Sequence, residues 1–540
     1  MAGIKIKKFG GLRPILHSDS LEKHLSVHCE NCDLSRGSIA SFREPLLVNN
    51  KSGNFLFKND CVTITSANKC ASVVDTKINC GYLISTSLFE YPKIGKVIGV
   101  GAVDWIRLGF PCELPAPTAT GGSPSLASEV IVKTQLRSYA YRLKNKFGFY
   151  SGLSDASQIL TLDAQNHITL TLPTSFDASY TISEIEIFTS ETTSDISGDN
   201  YLSDWFSIGT VSFGTSTFID TYLDLGALIN TEDYEPVPPN LSCVQYWRAG
   251  VIAGISDNMI CFSEKNKLDS FPANFRYTVH DKPICIVASN TALFVATDGR
   301  PGIIYHDSDC SKKSLHTVKD IITIDYHAIV SIKSAAHHNE HAVWATKDGL
   351  LMIAANGQTK LLTAEYYTPQ QWRELNPSTM VSEVHDGVYY GFTDKIGIRF
   401  HLPDNTYAQN ADSNLTTLKF NQGVPKALYR ADNDELYILF EDGVYKWAGS
   451  DKFMTATWHS ATFDMPSISS MTAYKLKNNH SSVDVKHYCD DYIVDNAVVS
   501  TNNTQRLPVH SGFDWSVRLK TTGEVTEYHL STSVRDLGMN

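Results

Sequence analysis

Leu293-Phe294-Val295-Ala296-Thr297-Asp298-Gly299 is a run of β-forming residues that ends on an Asp-Gly pair. The same pattern returns at Val343-Trp344-Ala345-Thr346-Lys347-Asp348-Gly349. The chain's other two Asp-Gly pairs, Asp386-Gly387 and Asp442-Gly443, also fall between short strand-forming runs. Asp-Gly suits the positive-φ positions of a two-residue hairpin turn. With Ser256-Asp257-Asn258 as a fifth turn, the intervals are 41, 50, 38 and 56 residues. One antiparallel blade of a β-propeller takes roughly 40–50 residues. Residues 243–450 therefore read as five irregular blades, with a plain β-meander as the alternative.

One helix interrupts this pattern. Thr368, Pro369 and Gln371 supply an N-cap, an N1 proline and the N3 partner of a capping box. The helix carries Trp372 and Leu375 and should stop before Asn376-Pro377.

Upstream, Ser138–Leu143, Ile168–Leu172 and Ile182–Phe188 alternate apolar with polar residues, as half-buried strands do. About seven short strands at this spacing predict a two-sheet sandwich over residues 113–239. It is bounded by the proline-rich Pro111–Pro117, then Gly121-Gly122-Ser123-Pro124, and by the stiff exit Glu235-Pro236-Val237-Pro238-Pro239. Residues 36–112 read as a first blade region, 240–460 as the main propeller and 461–540 as a small C-terminal β domain. The whole is an all-β chain, an irregular propeller interrupted by a β-sandwich.

Residues 1–35 lack regular patterning. Gly10-Gly11 and Pro14 break it, and Asp19 with Glu22 predicts one short helix presenting Leu21 and Leu25. Lys5, Lys7, Lys8 and Arg13 make this the most basic stretch. It reads as an extended arm whose Phe9, Gly10, Gly11, Arg13 and Pro14 dock on a neighbouring subunit, with a solvated tail as the alternative.

Composition bounds the function. The 540 residues exceed one hydrophobic core, and 42% hydrophobic with 19% charged residues describes a folded globular chain. A net charge of −12 disfavours broad nucleic-acid binding. No apolar run of membrane-spanning length occurs, and no apolar segment follows the basic N-terminus as a secretion signal requires. Eleven cysteines, an odd number, argue for reduced thiols rather than a disulfide scaffold.

Chemical motifs are sparse. Cys29-Glu30-Asn31-Cys32 beside His28 is the best metal candidate, but no second close cysteine pair completes a zinc site. His337, His338 and His341 fall in a polar stretch that reads as a solvated loop, a weak metal or pH-sensitive site at most. Gly99-Val100-Gly101 and Thr120-Gly121-Gly122-Ser123 lack the remaining residues of phosphate-binding loops, and Gly-x-Ser-x-Gly is absent. The repeated Ser-x-Asp boxes of sialidase-type propellers are missing, and no carboxylate pair stands out for glycoside hydrolysis. No catalytic, cofactor or metal residue is nominated, and no cofactor is expected.

Several segments in their order resemble a known family. Lys8-Phe9-Gly10-Gly11-Leu12-Arg13-Pro14 is followed by Asn31-Cys32-Asp33-Leu34-Ser35-Arg36-Gly37-Ser38-Ile39. Tyr141–Gly148 with Ser151 and Ser154 is similar to a fibronectin type III-like insert. Pro238-Pro239-Asn240-Leu241, Gly250–Gly254, Phe262-Ser263-Glu264 and Trp372–Ser378 complete the set. Together they resemble the tail nozzle or hub proteins of short-tailed bacteriophages. Ser26, Val27 and the cysteines depart from that pattern.

The resemblance implies a structural ring, homo-oligomeric and six-fold, around the path of genome ejection. Its implied partners are further copies, the portal or adaptor, tail fibres or spikes, and genomic DNA that passes through without specific binding. The chain would sit in the virion tail after assembly in the host cytoplasm. An acidic lumen would repel DNA phosphate. Deleting residues 1–14 would then leave the β domains folded and abolish docking. The alternatives are a receptor-binding or adhesin-like module for a host glycan or protein, and a propeller enzyme that degrades surface polysaccharide.

Overall fold

Several strands, among them Ala292–Thr297, Leu350–Ala354, Val388–Phe392 and Leu436–Leu439, have every residue buried. A strand covered on both faces reads as a continuous apolar run, which is how these segments are written. The structure, a computed structural model, describes residues 3–68, 70–76, 82–121, 135–162, 167–194, 200–220, 226–229, 234–247, 250–306, 313–317, 328–404, 415–479 and 481–538. Strands make up 51% of it and helix 6%, so the fold is all-β. Cys80, Gly81, Gly122, Ser123 and Pro124 lie outside the described residues.

The chain divides into two compact units, one of Met1–Ala71, His280–His306 and Ser314–Asn540, the other of Ser72–Val279 and Asp307–Lys313. In the first, each of these buried strands is an inner member of an antiparallel meander of four strands. These are Pro283–Ala288 to Lys313–Thr317, Ala336–His338 to Thr359–Leu361, and Val381–His385 to Leu415–Leu418, which forms one end of a ten-stranded sheet. The last consists of Ala427–Arg430, Leu436–Leu439 and Val444–Lys446, with Leu46–Asn49 as its fourth strand. A fifth such sheet, Ser242–Tyr246 to Arg276–Thr278, belongs to the second unit. All five expected turns fall between paired strands, so the meanders are present. Among the described residues no closed propeller is defined.

The turn chemistry differs from expectation. Only Asp386 and Gly387 both adopt positive φ, at 50° and 70°. At Asp298 and Asp348 a threonine makes the turn. Thr297 Oγ1 accepts the Gly299 N–H and donates to the Arg300 carbonyl, at 3.1 and 2.9 Å. Thr346 and Thr393 repeat this with Asp348 and Gly349, and with Lys395 and Ile396. Such side chains replace the backbone hydrogen bonds of a turn. Gly443 is needed for space: a Cβ there would lie 2.5 Å from the Asn49 carbonyl oxygen of the incoming strand.

The helix Pro369–Glu374 forms with its capping box, and Trp372 Nε1 donates to the Thr346 carbonyl at 3.0 Å. The helix expected near Asp19 is only a 3-10 turn at Ser18–Ser20 without a side-chain cap. Leu21 and Leu25 are buried all the same, against Ala461.

Residues 461–540 are not a separate domain. Gly512–Thr521 pairs with Ala456–Ser460, which pairs with Ser26–Glu30, in one ten-stranded sheet. Glu524–Ser531 pairs with Gly3–Ile6 and Ile39–Ser41 in another. Residues 36–112 are likewise divided. Leu46–Asn49 completes the last meander, Phe55–Lys58 and Thr63–Ser66 form a hairpin, and four strands from Ser72–Asp75 to Ala102–Arg107 belong to the second unit.

In the second unit the sandwich has seven strands, three from Thr118–Gly121 to Thr217–Asp220 and four including Gln135–Asn145 and Ile182–Ser194. Tyr139, Tyr141, Leu143, Leu170, Ile185 and Ile187 fill its core. Ser151, Ser154 and Ser157 run beside Gln135–Asn145 with a three-residue period. Each serine N–H donates to a strand carbonyl, and each Oγ accepts the N–H of the same strand residue: Leu143, Tyr141 and Tyr139 in turn. Arg137 and Asp220 form a buried ion pair at 2.8 Å, and the Tyr139 hydroxyl donates to the same carboxylate at 2.6 Å.

Gly443→Ala should destabilise the first unit by about 1–3 kcal/mol and free Leu46–Asn49. Urea unfolding and limited proteolysis near residue 50 would show it; wild-type behaviour in both would refute the steric argument.

Candidate functional site

The expected docking residues are brought together, but by their own chain. Phe9 is fully buried and meets Trp458 edge-to-face, with ring centres 5.0 Å apart. Its N–H donates to the Gly37 carbonyl at 2.8 Å. The Gly10 N–H donates to the His24 carbonyl at 2.7 Å, and the Gly10 carbonyl accepts from Trp458 Nε1 at 3.0 Å. A Cβ on Gly10 would lie 2.8 Å from Leu25 Cδ2. The Gly11 carbonyl accepts the Ser26 N–H. Arg13 lies 6.0 Å over the Tyr366 ring, and the Pro14 carbonyl accepts from Gln371 Nε2 at 2.9 Å.

Residues 1–35 are therefore not a projecting arm. Gly10-Gly11 and Pro14 do prevent regular structure, but irregular backbone can be buried when its polar groups find partners. The truncation expected to spare the fold would instead remove strand Gly3–Ile6 and the Phe9 ring. Lys7 and Lys8 do remain exposed.

Cys29 and Cys32 are both buried. Cys32 Sγ lies 3.3 Å from the Glu30 and Thr457 carbonyls, and burial pushes its thiol well above the ordinary range. Both cysteines belong to the hydrophobic core of the first unit, so the pair packs the core. His337, His338 and His341 are not in a solvated loop either. Asn339, with φ of 50°, turns a tight hairpin in which His338 and His341 face each other, 8% and 9% exposed. Burial lowers the pKa of all three.

His385, Asp386 and Asp434 place their ligand atoms within 4.8 Å of one another. His385 Nε2 donates to the Asp434 carbonyl at 2.8 Å, and Nδ1 faces Asp386 Oδ2 at 3.6 Å. Arg430 Nε already pairs with Asp434 Oδ1 at 2.5 Å, so the group reads as a braced pair of turns. Nothing in the sequence drew attention to it beyond Asp386 as a turn residue.

Two cavities merit description. One in the first unit, about 370 Å³, is lined by His28, Glu30, Lys395, Thr417 and Lys419 among others. Glu30 is the only carboxylate among its described lining residues. One in the second unit, about 250 Å³, is lined by Arg142, Tyr150, Tyr234, Asn266, Lys267 and Asp269. Burial lifts the Asp269 carboxyl to about 7, and its Oδ2 and the Tyr234 hydroxyl have no hydrogen-bond partner among the described residues. Burial had no signature in the sequence around Asp269.

No known family matches the sequence, and no curated protein does. Among solved structures, the chain is similar to the extracellular domain of a hybrid two-component system from B. thetaiotaomicron. That match has 10% identity and a TM-score of 0.26, over 67% of this chain and 43% of the other. A one-component-system extracellular domain from the same organism matches at 9% identity and a TM-score of 0.25, over 65% and 43%. The chain spans less than half the length of either matched chain, and these likenesses carry no functional argument. No helix among the described residues is long and apolar enough to cross a membrane.

Phe9→Ala should cost about 3–5 kcal/mol in urea unfolding; a loss under about 1 kcal/mol would return the segment to the role of a loose arm. A second test concerns pH. Burial, with the charges of Arg518 and His28, pushes His459 down to about 4 from 6.5. The fold favours its neutral form, so its contribution is complete above about pH 6.5 and is lost as pH falls towards about 4. The stability gap between wild type and His459→Gln should shrink over that interval in urea titrations; a constant gap would contradict the assignment.

Proposed function

We propose that this chain is a structural component of a short-tailed phage tail, a nozzle or hub ring forming part of the genome conduit and a platform for other tail proteins. The observation that supports it best is the order of parts. Leu46–Asn49 completes the meander at Ala427–Lys446, while the seven-stranded sandwich lies between them in sequence. That is the interrupted arrangement which the sequence resemblance implies. The buried polar groups at Cys32 and His338 are tied up in packing, in keeping with work done by surfaces.

On this reading further copies build the ring, the portal or adaptor and the fibres or spikes are its neighbours, and DNA passes through without specific binding. The net charge of −12 suits a conduit that must release a polyanion. A second reading, recognition of a host glycan, is favoured by one feature, the small cavity at Asp269 and Tyr234 with its aromatic walls.

Electron microscopy of the purified chain, or of the particle it comes from, should show six-fold rings with an acidic bore. A monomer that binds host glycan and never forms rings would favour the second reading, and a strongly basic bore would refute the conduit argument.

A further inference from the structure

The ten-stranded sheet of the first unit ends on Tyr492–Val499, which pairs on one side with Val483–Cys489. Among the described residues no strand pairs with its outer edge. Tyr492 is 72% exposed, Ile493 57% and Val498 73%. Phe513 is also exposed, and its N–H donates to Asp490 at 3.0 Å, which holds it beside the turn that opens this strand. Exposed edges are ordinarily blunted with Lys or Pro, because unpaired N–H and C=O groups recruit other strands. This strand contains neither residue. An unpaired edge with exposed apolar side chains at both ends marks an interaction surface.

The charges around the edge narrow the partner. Asp464 and Asp514 lie opposite each other on paired strands, and both are exposed. Asp490 and Asp491 lie close by, since Asp490 accepts the Asp514 N–H at 2.9 Å. Desolvation, with repulsion from Asp464 and Asp490, holds the Asp514 carboxyl above its ordinary range. These carboxylates call for cations. The same unit displays a basic group elsewhere on its surface: Lys7, Lys8 and Arg36 are all exposed. They are neighbours, because the Phe9 N–H donates to the Gly37 carbonyl and the Lys8 side chain lies against Gly37.

We propose that the Tyr492–Val499 edge with its acidic rim docks on the Lys7, Lys8 and Arg36 surface of a second copy of this chain. The two surfaces differ, so the contact is heterologous, the kind that closes into a ring. This deepens the ring reading above and rests on it.

Light scattering and native mass spectrometry of the full chain at low and high salt provide the test. Wild type should form one closed species, weakened by salt. Tyr492→Lys with Val498→Lys should lower the ring fraction at least about tenfold, with unchanged circular dichroism. Lys7→Glu, Lys8→Glu and Arg36→Glu together should do the same, and adding Asp464→Lys with Asp514→Lys should restore assembly. Rings that persist in both sets of variants would overturn this contact and leave the ring reading standing. A two-fold dimer as the largest species, or no rescue by the charge swap, would overturn the heterologous pairing. A wild type monomeric at every concentration would overturn the ring reading, and this contact with it.

Discussion

Pairing between the two ends of the chain is the constraint on which the first unit depends. Gly3–Ile6 lies on Glu524–Ser531, Ser26–Glu30 lies on Ala456–Ser460, and Leu46–Asn49 lies on Val444–Lys446. Phe9 and Trp458 lock this arrangement by a ring contact, while the indole N–H satisfies the Gly10 carbonyl beside it. An irregular backbone could not be buried without such partners, because an unpaired peptide group in the core costs about 1–3 kcal/mol. The N-terminal residues are thus core material, although their composition resembles that of a tail.

Polar groups in the second unit follow the same economy. Three serines spaced by three give their strand a full set of hydrogen bonds without being a strand themselves. Arg137, Asp220 and Tyr139 neutralise one another inside the sandwich. Breaking one member of such a buried set strands the others, so these residues fix a single arrangement more than they add stability. Asp269 is different. Its carboxyl faces a cavity with one oxygen unpartnered among the described residues, and burial lifts it to about 7.

Local signals were legible in the sequence and long-range ones were not. The five turns, the capping box at Thr368 and Gln371 and the seven strands of the sandwich are written in residues close together, and each appears where the pattern puts it. The turn type at Asp298 and Asp348 was missed because the preceding threonine, not Asp-Gly, supplies the hydrogen bonds. Pairing of Lys5 with His529 leaves no local trace, so residues 1–35 and 461–540 read as separate pieces. The histidine hairpin was misread for a related reason. His338 and His341 look polar in sequence, and only the packing around them decides that they are buried, which lowers their pKa. The candidate docking residues make their contacts within the chain.

The same interleaving sets an order of events during synthesis. The strands at residues 3–30 are made well before their partners at 415–531. Contacts this distant in sequence pay a large loop-closure entropy before they return any stabilisation. The sandwich, whose strands all lie between residues 118 and 220, faces no such delay. The sandwich can therefore assemble while the first unit still waits, with the segments around Ile4, Cys29 and Leu47 held as open β-edges until their distant partners have been made.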